Sequence, residues 1–257
     1  MAWNDSYINR ITNLIKKPSN FRKILPFIES RYLWYKRKLL EKLGNDKLSK
    51  PYPGHNKLIS YINKEGGFFV VCGGNDGYFQ DPTYYLERIK KWRGIIIEPT
   101  DIAYLCRLNR PASTIYQYAV VSPEYKNSTI TMIDVNAMSI IKDSLTNSDE
   151  WITSGENAQN IKSKQIIVQA RTVQSIIDEY TKKTDIKKID LFVADIEGYE
   201  INALKGLDFS KNSPTYILIE SHTQKKLSEI NSYLINKNYK LVEEIYPKDY
   251  LYKINND

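Results

Sequence analysis

Short runs in which nearly every residue is apolar punctuate the chain from residue 67 onward: GFFVVC (67–72), GIIIE (94–98), STIYQYAVV (113–121), KIDLFVAD (188–195) and TYILIE (215–220). Such a run predicts a strand buried on both faces, as in a parallel sheet. Between them lie YYLERIKKW (84–92), DIAYLCRLN (101–109), TVQSIIDEY (172–180), YEINALKGL (199–207) and KKLSEINSYLINK (225–237). Their apolar residues recur three and four positions apart, the period of one helix face. Strand and helix in alternation predict an α/β fold with helices on both faces of a parallel sheet. Two aromatic-rich runs, YKLVEEIY (239–246) and DYLYKI (249–254), close the chain within hairpin distance of each other and predict an antiparallel edge. The alternation is interrupted once. NSTITMID (127–134) predicts an added strand, and residues 138–164 form a polar excursion of the kind that serves as a lid or substrate loop.

The first 50 residues follow a different pattern. Phe21, Leu25, Ile28, Tyr32, Tyr35, Leu39 and Leu43 recur at helical spacing, Pro26 suits a first turn, and Arg31, Lys36, Arg37, Lys38 and Lys42 fall largely elsewhere. Gly44 and NDKLSKPYPGHN (45–56) then read as a stop and a linker. Residues 1–50 hold 12 Lys/Arg against 4 Asp/Glu, whereas the other 207 residues hold 25 against 26, so the net charge of +7 belongs to this segment. The expected organisation is a basic helical appendage over 1–50 and a main domain over 51–257. The appendage would pack on the main domain or on a second subunit, or touch an anionic membrane surface. A main domain without a basic face speaks against nucleic acid as a partner.

With 42% apolar and 12% aromatic residues the chain can build a sizeable core. Cys72 and Cys106 sit in or beside apolar segments, which suggests reduced, buried thiols and a cytoplasmic setting. No apolar run approaches the roughly 18 residues of a membrane span, and the opening residues lack the pattern of a signal peptide.

Candidate chemistry enters at VVCGGNDGYF (70–79), where the first strand runs into three glycines. In such a sheet ligands sit beyond the carboxyl ends of the strands, at the point where strand order reverses. The glycines, at 73, 74 and 77, do not have the G-x-G-x-x-G spacing of a dinucleotide site, and no phosphate-binding G-x-x-x-x-G-K-[ST] is present. Glu98 ends the second strand, where an acid can accept from two ribose hydroxyls. The combination suits an adenosyl ligand without pyrophosphate, and S-adenosylmethionine fits.

FFVVCGGNDGYFQDPTYYLE, WRGIIIEP, YAVV, DLFVADIEGYEINALKGLDF and YILIESH occur in the order and spacing of the FkbM-type methyltransferases, a branch of the class I S-adenosylmethionine-dependent enzymes. The chain resembles that family over roughly residues 55–254. The resemblance implies a seven-stranded Rossmann-like sheet with an antiparallel last strand, and methyl transfer to a hydroxyl of a sugar or glycan, in a surface polysaccharide or a glycosylated metabolite. By the same likeness Gly73, Asn75, Asp76 and Gly77 would line the methionine moiety, Glu98 the ribose, and Ala119 with Val120 the adenine edge. The family pattern usually has an acid two residues before the first glycine, where this chain has Val71. One polar contact to the methionine portion would then be missing, or supplied by Asp81 or Asp195.

Methyl transfer to oxygen requires a positioned acceptor and a group that removes its proton. Asp195, Glu197, Glu200, Glu220 and His222 all fall at or just past the carboxyl ends of two late strands, around one crevice. Asp195, Glu220 and His222 are the catalytic candidates, and Asp195 and Glu197 would also reach the cofactor. Glu197 and Glu200 have a second reading as favourable charges in a helix first turn. Carboxylates at 195, 197 and 220 suit Mg²⁺ chemically, but no characteristic ligand spacing appears, and no metal is assigned. Two other classes remain open: a nicotinamide-dependent reductase, and a binding module that keeps the fold without catalysis. An oligomer is compatible with the sequence.

Overall fold

The computed structural model describes residues 32, 35–40, 42–145, 147–186 and 188–255. The chain divides into two compact units, residues 1–49 and 50–257. In the first, residues 35–40 are helical, and Tyr32, Tyr35, Leu39 and Leu43 are exposed. Phe21, Leu25, Pro26, Ile28 and Arg31 of the expected helix lie outside the described residues. Among the described residues no helix is long and apolar enough to cross a membrane.

The second unit is built on a seven-stranded sheet. Its strands are β1 (Phe68–Cys72), β2 (Arg93–Ile97), β3 (Thr114–Tyr116), β8 (Leu191–Ala194), β9 (Tyr216–Glu220), β10 (Tyr239–Tyr246) and β11 (Asp249–Ile254). The order is β10-β11-β9-β8-β1-β2-β3. The five strands from β9 to β3 are parallel, and β11 runs antiparallel to both β9 and β10. The strand order reverses at β1, so the glycine turn follows the strand at the switch point.

Alternate residues of β1 feed different cores, because side chains of a strand point to opposite faces. Phe68, Val70 and Cys72 join Ile95, Ile97, Phe192 and the helix residues Ile176 and Leu234. Phe69 and Val71 join Leu58, Trp92, Ile96, Val193 and Leu251 on the other face. Each fully buried aliphatic side chain contributes about 1.5–3 kcal/mol. Helices α1 (His55–Tyr61), α2 (Tyr84–Arg88), α3 (Ala103–Asn109), α5 (Val173–Thr181), α6 (Glu200–Lys205) and α7 (Gln224–Ile235) surround the sheet. Cys72 and Cys106 are buried free thiols.

One expectation is corrected. The run 113–121 is not one strand: β3 pairs with β2, while β4 (Ala119–Val120) pairs with β7 (Lys164–Arg171) in a second sheet, which with β5 (Thr129–Asp134) and β6 (Ile140–Ile141) has the order β4-β7-β5-β6. The closing hairpin forms the expected antiparallel edge, with the last strand reversed. β11 is inserted between β9 and β10, because Leu251 and Tyr252 are fully buried there, whereas β10 exposes Leu241. β7 itself is absent from the periodic reading; Ile166, Val168 and Ala170 pack on Ala119, Val121, Ile130, Met132 and Ile141, while Ile167 stays exposed. The expected strand at 127–134 is β5 (Thr129–Asp134), and the excursion carries β6 (Ile140–Ile141) and α4 (Ser148–Gln159).

Candidate active site

The turn after β1 is shaped by contacts between backbones. Gly73 has φ 88, its N–H donates to the Ile97 carbonyl at 2.9 Å, and a Cβ built on it would overlap the Asp195 carbonyl oxygen. Glycine is required there because the turn after β1 lies against the chain leaving β8. Asn75, at φ 45, donates its N–H to Glu98 Oε2 at 2.8 Å. Glu98 Oε1 accepts from Thr100 N–H at 2.9 Å and from Thr100 Oγ1 at 2.7 Å. Glu98 thus braces the turn, and about one of its four lone-pair sites remains for a ligand hydroxyl. Burial raises its pKa and the bonds from Thr100 and Asn75 oppose the rise.

A cavity of about 290 Å³ opens over the strand ends. One end is lined by Gly73, Asn75, Glu98, Ala119 and Val120, the other by Asp195, Glu197, Glu220 and Asp249. Asp76 and Gly77 are outside this lining. Asp76 Oδ1 instead accepts the N–H groups of Tyr78 and Phe79, both at 2.8 Å, and Gly77, at φ 74, is backed by Cys106 and Arg110. Asp81 lines the cavity, but its carboxylate is engaged by Thr83 N–H at 2.7 Å and by the fully buried Arg110. Arg110 also donates Nε–H to Glu87 Oε2 at 2.9 Å. Among the described residues Asn75 Oδ1 is buried with no hydrogen-bond partner. A buried acceptor without a donor is costly, and a ligand ammonium or hydroxyl would satisfy it. The cavity therefore fits an adenosyl amino acid.

At the other end His222 Nε2 lies 2.9 Å from Glu220 Oε2 and 3.1 Å from Glu197 Oε2. Its Nδ1 is 3.3 Å from Lys248 Nζ, and its ring centroid is 4.8 Å from that of Trp151 on α4. The excursion thus reaches the cluster. Burial works against the charged imidazole, but the bonds to Glu197 and Glu220 outweigh it and raise the pKa to about 9. As an imidazolium, or as a neutral ring accepting from Lys248, His222 keeps a hydrogen on Nε2 and donates it. That arrangement supports a positioning role for His222 beside Glu197 and Glu220 rather than that of a base. The ligand atoms of Glu197, Glu220 and His222 all fall within 4.8 Å of one another, and a metal bound there would displace the proton of Nε2.

Asp195 is open to the cavity, yet the cavity walls are protein. Burial among them, then the charges of Glu220 and Glu197, hold its pKa well above the usual carboxylate range. Burial also acts on Glu220, but bonds from His222 and Asp195 reverse it and lower its pKa. Burial and like charges thus favour the protonated form of Asp195, while His222 favours the ionised form of Glu220. Burial raises Glu197, against the bond from His222, and Glu197 adopts φ 54 to reach the cavity. Glu200 takes its structural reading, with Oε1 accepting the Gly198 N–H at 2.7 Å.

Sequence reasoning missed Tyr52 and Asp249. Asp249 is the cross-strand partner of Glu220, and Tyr52 O–H donates to Asp249 Oδ2 at 2.6 Å. The hairpin register carried a signal for Asp249, the first residue of the closing strand. Tyr52, 197 residues away, had none.

The methyltransferase FkbM domain matches residues 72–241. The chain belongs to this family. Among solved structures the chain is similar to the FkbM methyltransferase from Methylobacillus flagellatus KT, at 18% identity and TM-score 0.45, over 73% of this chain and 43% of that one. It therefore spans less than half the length of that relative. It is also similar to a SAM-dependent methyltransferase from Aquifex aeolicus, at 10% identity and TM-score 0.42, over 84% and 96% of the two chains. The plantazolicin methyltransferase BpumL in complex with SAH matches at 10% identity and TM-score 0.38, over 94% and 93%. No curated protein matches the chain.

Proposed function

We propose that the chain transfers a methyl group from S-adenosylmethionine to a hydroxyl of a sugar or glycan. One observation carries the reading: a single cavity joins the turn of Gly73 and Asn75, with the unpartnered Asn75 Oδ1, to a wall of carboxylates under exposed aromatic rings. When bound, the cofactor supplies an activated methyl on a sulfonium. Asn75 would accept from its polar groups, Glu98 from one ribose hydroxyl, and Ala119 with Val120 would flank the adenine.

Phe79 and Tyr246, 60% and 41% exposed, line the cavity with the nearly buried Tyr52. Aromatic faces suit the apolar face of a sugar ring, and carboxylates accept from its hydroxyls. Trp151 and Met138 of the excursion help exclude water from His222 and the cavity. His222, holding Glu197 and Glu220 together, keeps two carboxylates oriented toward the acceptor.

The test pairs calorimetry with transfer of labelled methyl from S-adenosylmethionine to a panel of neutral oligosaccharides, glycosides and nucleotide sugars. The reading expects S-adenosylhomocysteine to bind and a saccharide to become labelled. Binding of NADH in its place overturns the cofactor assignment. Label on a protein, lipid or small amine but on no saccharide overturns the acceptor class.

A further inference from the structure

Six carboxylate side chains line the cavity: Asp81, Glu98, Asp195, Glu197, Glu220 and Asp249. Asp81 is held by Thr83 and Arg110, Glu98 by Asn75 and Thr100, and Glu197 and Glu220 by His222. At Asp195 burial, then the charges of Glu220 and Glu197, favour the protonated form. Asp249 differs. Among the described residues its carboxylate is bonded by one neutral donor, Tyr52 O–H on Oδ2, which leaves Oδ1 for a ligand.

We propose that Asp249 is the catalytic base of the reaction, taking the acceptor hydroxyl's proton on Oδ1, and that Tyr52 is the positioning residue that fixes it. The proposal rests on the methyl-transfer reading above. As the acceptor oxygen forms its bond to the methyl carbon, the carbon–sulfur bond breaks and its electron pair passes to sulfur. The hydroxyl proton moves to Asp249 Oδ1, and solvent later removes it. Charge balances, because the cationic sulfonium becomes a neutral thioether while the carboxylate becomes a neutral acid.

The fold places Asp249 for this task through strand register. β11 sets it directly opposite Glu220, and like charges in that arrangement are unfavourable unless one of them holds a proton. Tyr52, Glu220, Glu244 of β10, Asp195 beyond β8, His222 and the adjoining Lys248 are the titratable groups around it. Burial, then the charges of Glu220 and Glu244, push Asp249 up to about 7, with Tyr52 and His222 opposing the rise. A base with that value is matched to neutral pH.

Two measurements test the assignment. The first needs no acceptor. In aspartate ¹³Cγ NMR of the full chain with S-adenosylhomocysteine, the resonance lost in Asp249→Asn should titrate near neutrality; a midpoint below about 5 overturns the proposal. The second uses the saccharide labelled in the transfer assay. Asp249→Asn should lower kcat by roughly 100-fold to 10,000-fold and leave S-adenosylhomocysteine affinity within about twofold. Tyr52→Phe should move the acidic limb of the wild-type pH profile to higher pH, because the carboxylate loses its hydrogen bond. A folded Asp249→Asn protein with kcat within about threefold of wild type overturns the role, as does an unmoved limb in Tyr52→Phe. Failure of every saccharide would sink the acceptor reading, while the NMR titration would still decide on Asp249.

Discussion

Gly73 and Asp195 touch through their backbones: the turn after β1 fits against the carbonyl oxygen of Asp195 only because residue 73 has no side chain. The contact joins the glycine-turn end of the cavity to its carboxylate end. Gly73→Val would force the two apart and impose a left-handed φ on a branched residue, a conformational cost of about 1–2 kcal/mol before any steric overlap. Its melting temperature should fall by several degrees, and S-adenosylhomocysteine binding should be lost. A variant that melts and binds like the parent removes this contact from the account.

Glu98 is expected to be as much a brace as a ligand group. Glu98→Gln replaces an acceptor facing Asn75 or Thr100 N–H with a donor, at about 1–3 kcal/mol. Calorimetry and urea unfolding should both record a loss. Weakened binding at unchanged stability would mean that Glu98 serves the ribose alone.

Arg110 joins Asp81 and Glu87 in a buried ion cluster behind the glycine turn. Arg110→Ala leaves both carboxylates without their cation and should destabilise the domain by about 3–5 kcal/mol. Urea unfolding measures it; a loss under about 1 kcal/mol, the scale of an exposed pair, contradicts the cluster's structural role.

The pH dependence of stability separates His222 from Asp249. His222 is raised from 6.5 to about 9, so the stability it contributes is complete below 6.5 and disappears as pH rises through 9. Asp249 is raised from 3.8 to about 7, so its contribution is complete below 3.8 and is lost as pH rises through 7. His222→Ala should therefore be destabilised at pH 6 and approach wild type near pH 10. Asp249→Asn should match wild type near pH 4 and exceed it at pH 8. Thermal melts across that range check both signs, and a reversed order for either variant refutes its pair.

The N-terminal segment presents Tyr32, Tyr35, Leu39 and Leu43 to solvent beside Lys36 and Lys42. If it docks on membranes, the full chain should co-sediment with anionic vesicles, release with salt, and lose binding in Lys36→Glu/Lys42→Glu. Equal sedimentation with neutral vesicles would point to packing or self-association instead.

The sequence by itself determined the alternation of strand and helix, the glycine turn at the switch point and the family. Each depends on local pattern: runs such as FFVVC are apolar at every position because both faces of β1 are covered, and the motif residues lie within a few positions of one another. The division of residues 113–121 between two sheets was decided by partners far away in the chain, β2 and β7. So was the insertion of β11, since a hairpin pattern fixes the pairing of its own strands and says nothing of which one a third strand will meet.

The same division runs through the site. That Asp195 and Glu220 share one cavity, with His222 bonded to Glu220, was legible, because each ends or follows a strand. That His222 holds its proton, that Asp81 is occupied by Arg110, and that Tyr52 aims Asp249 into the cavity were decided by tertiary contact alone. Protonation depends on distances of a few ångströms between groups remote in sequence, and those distances exist only once the chain has folded.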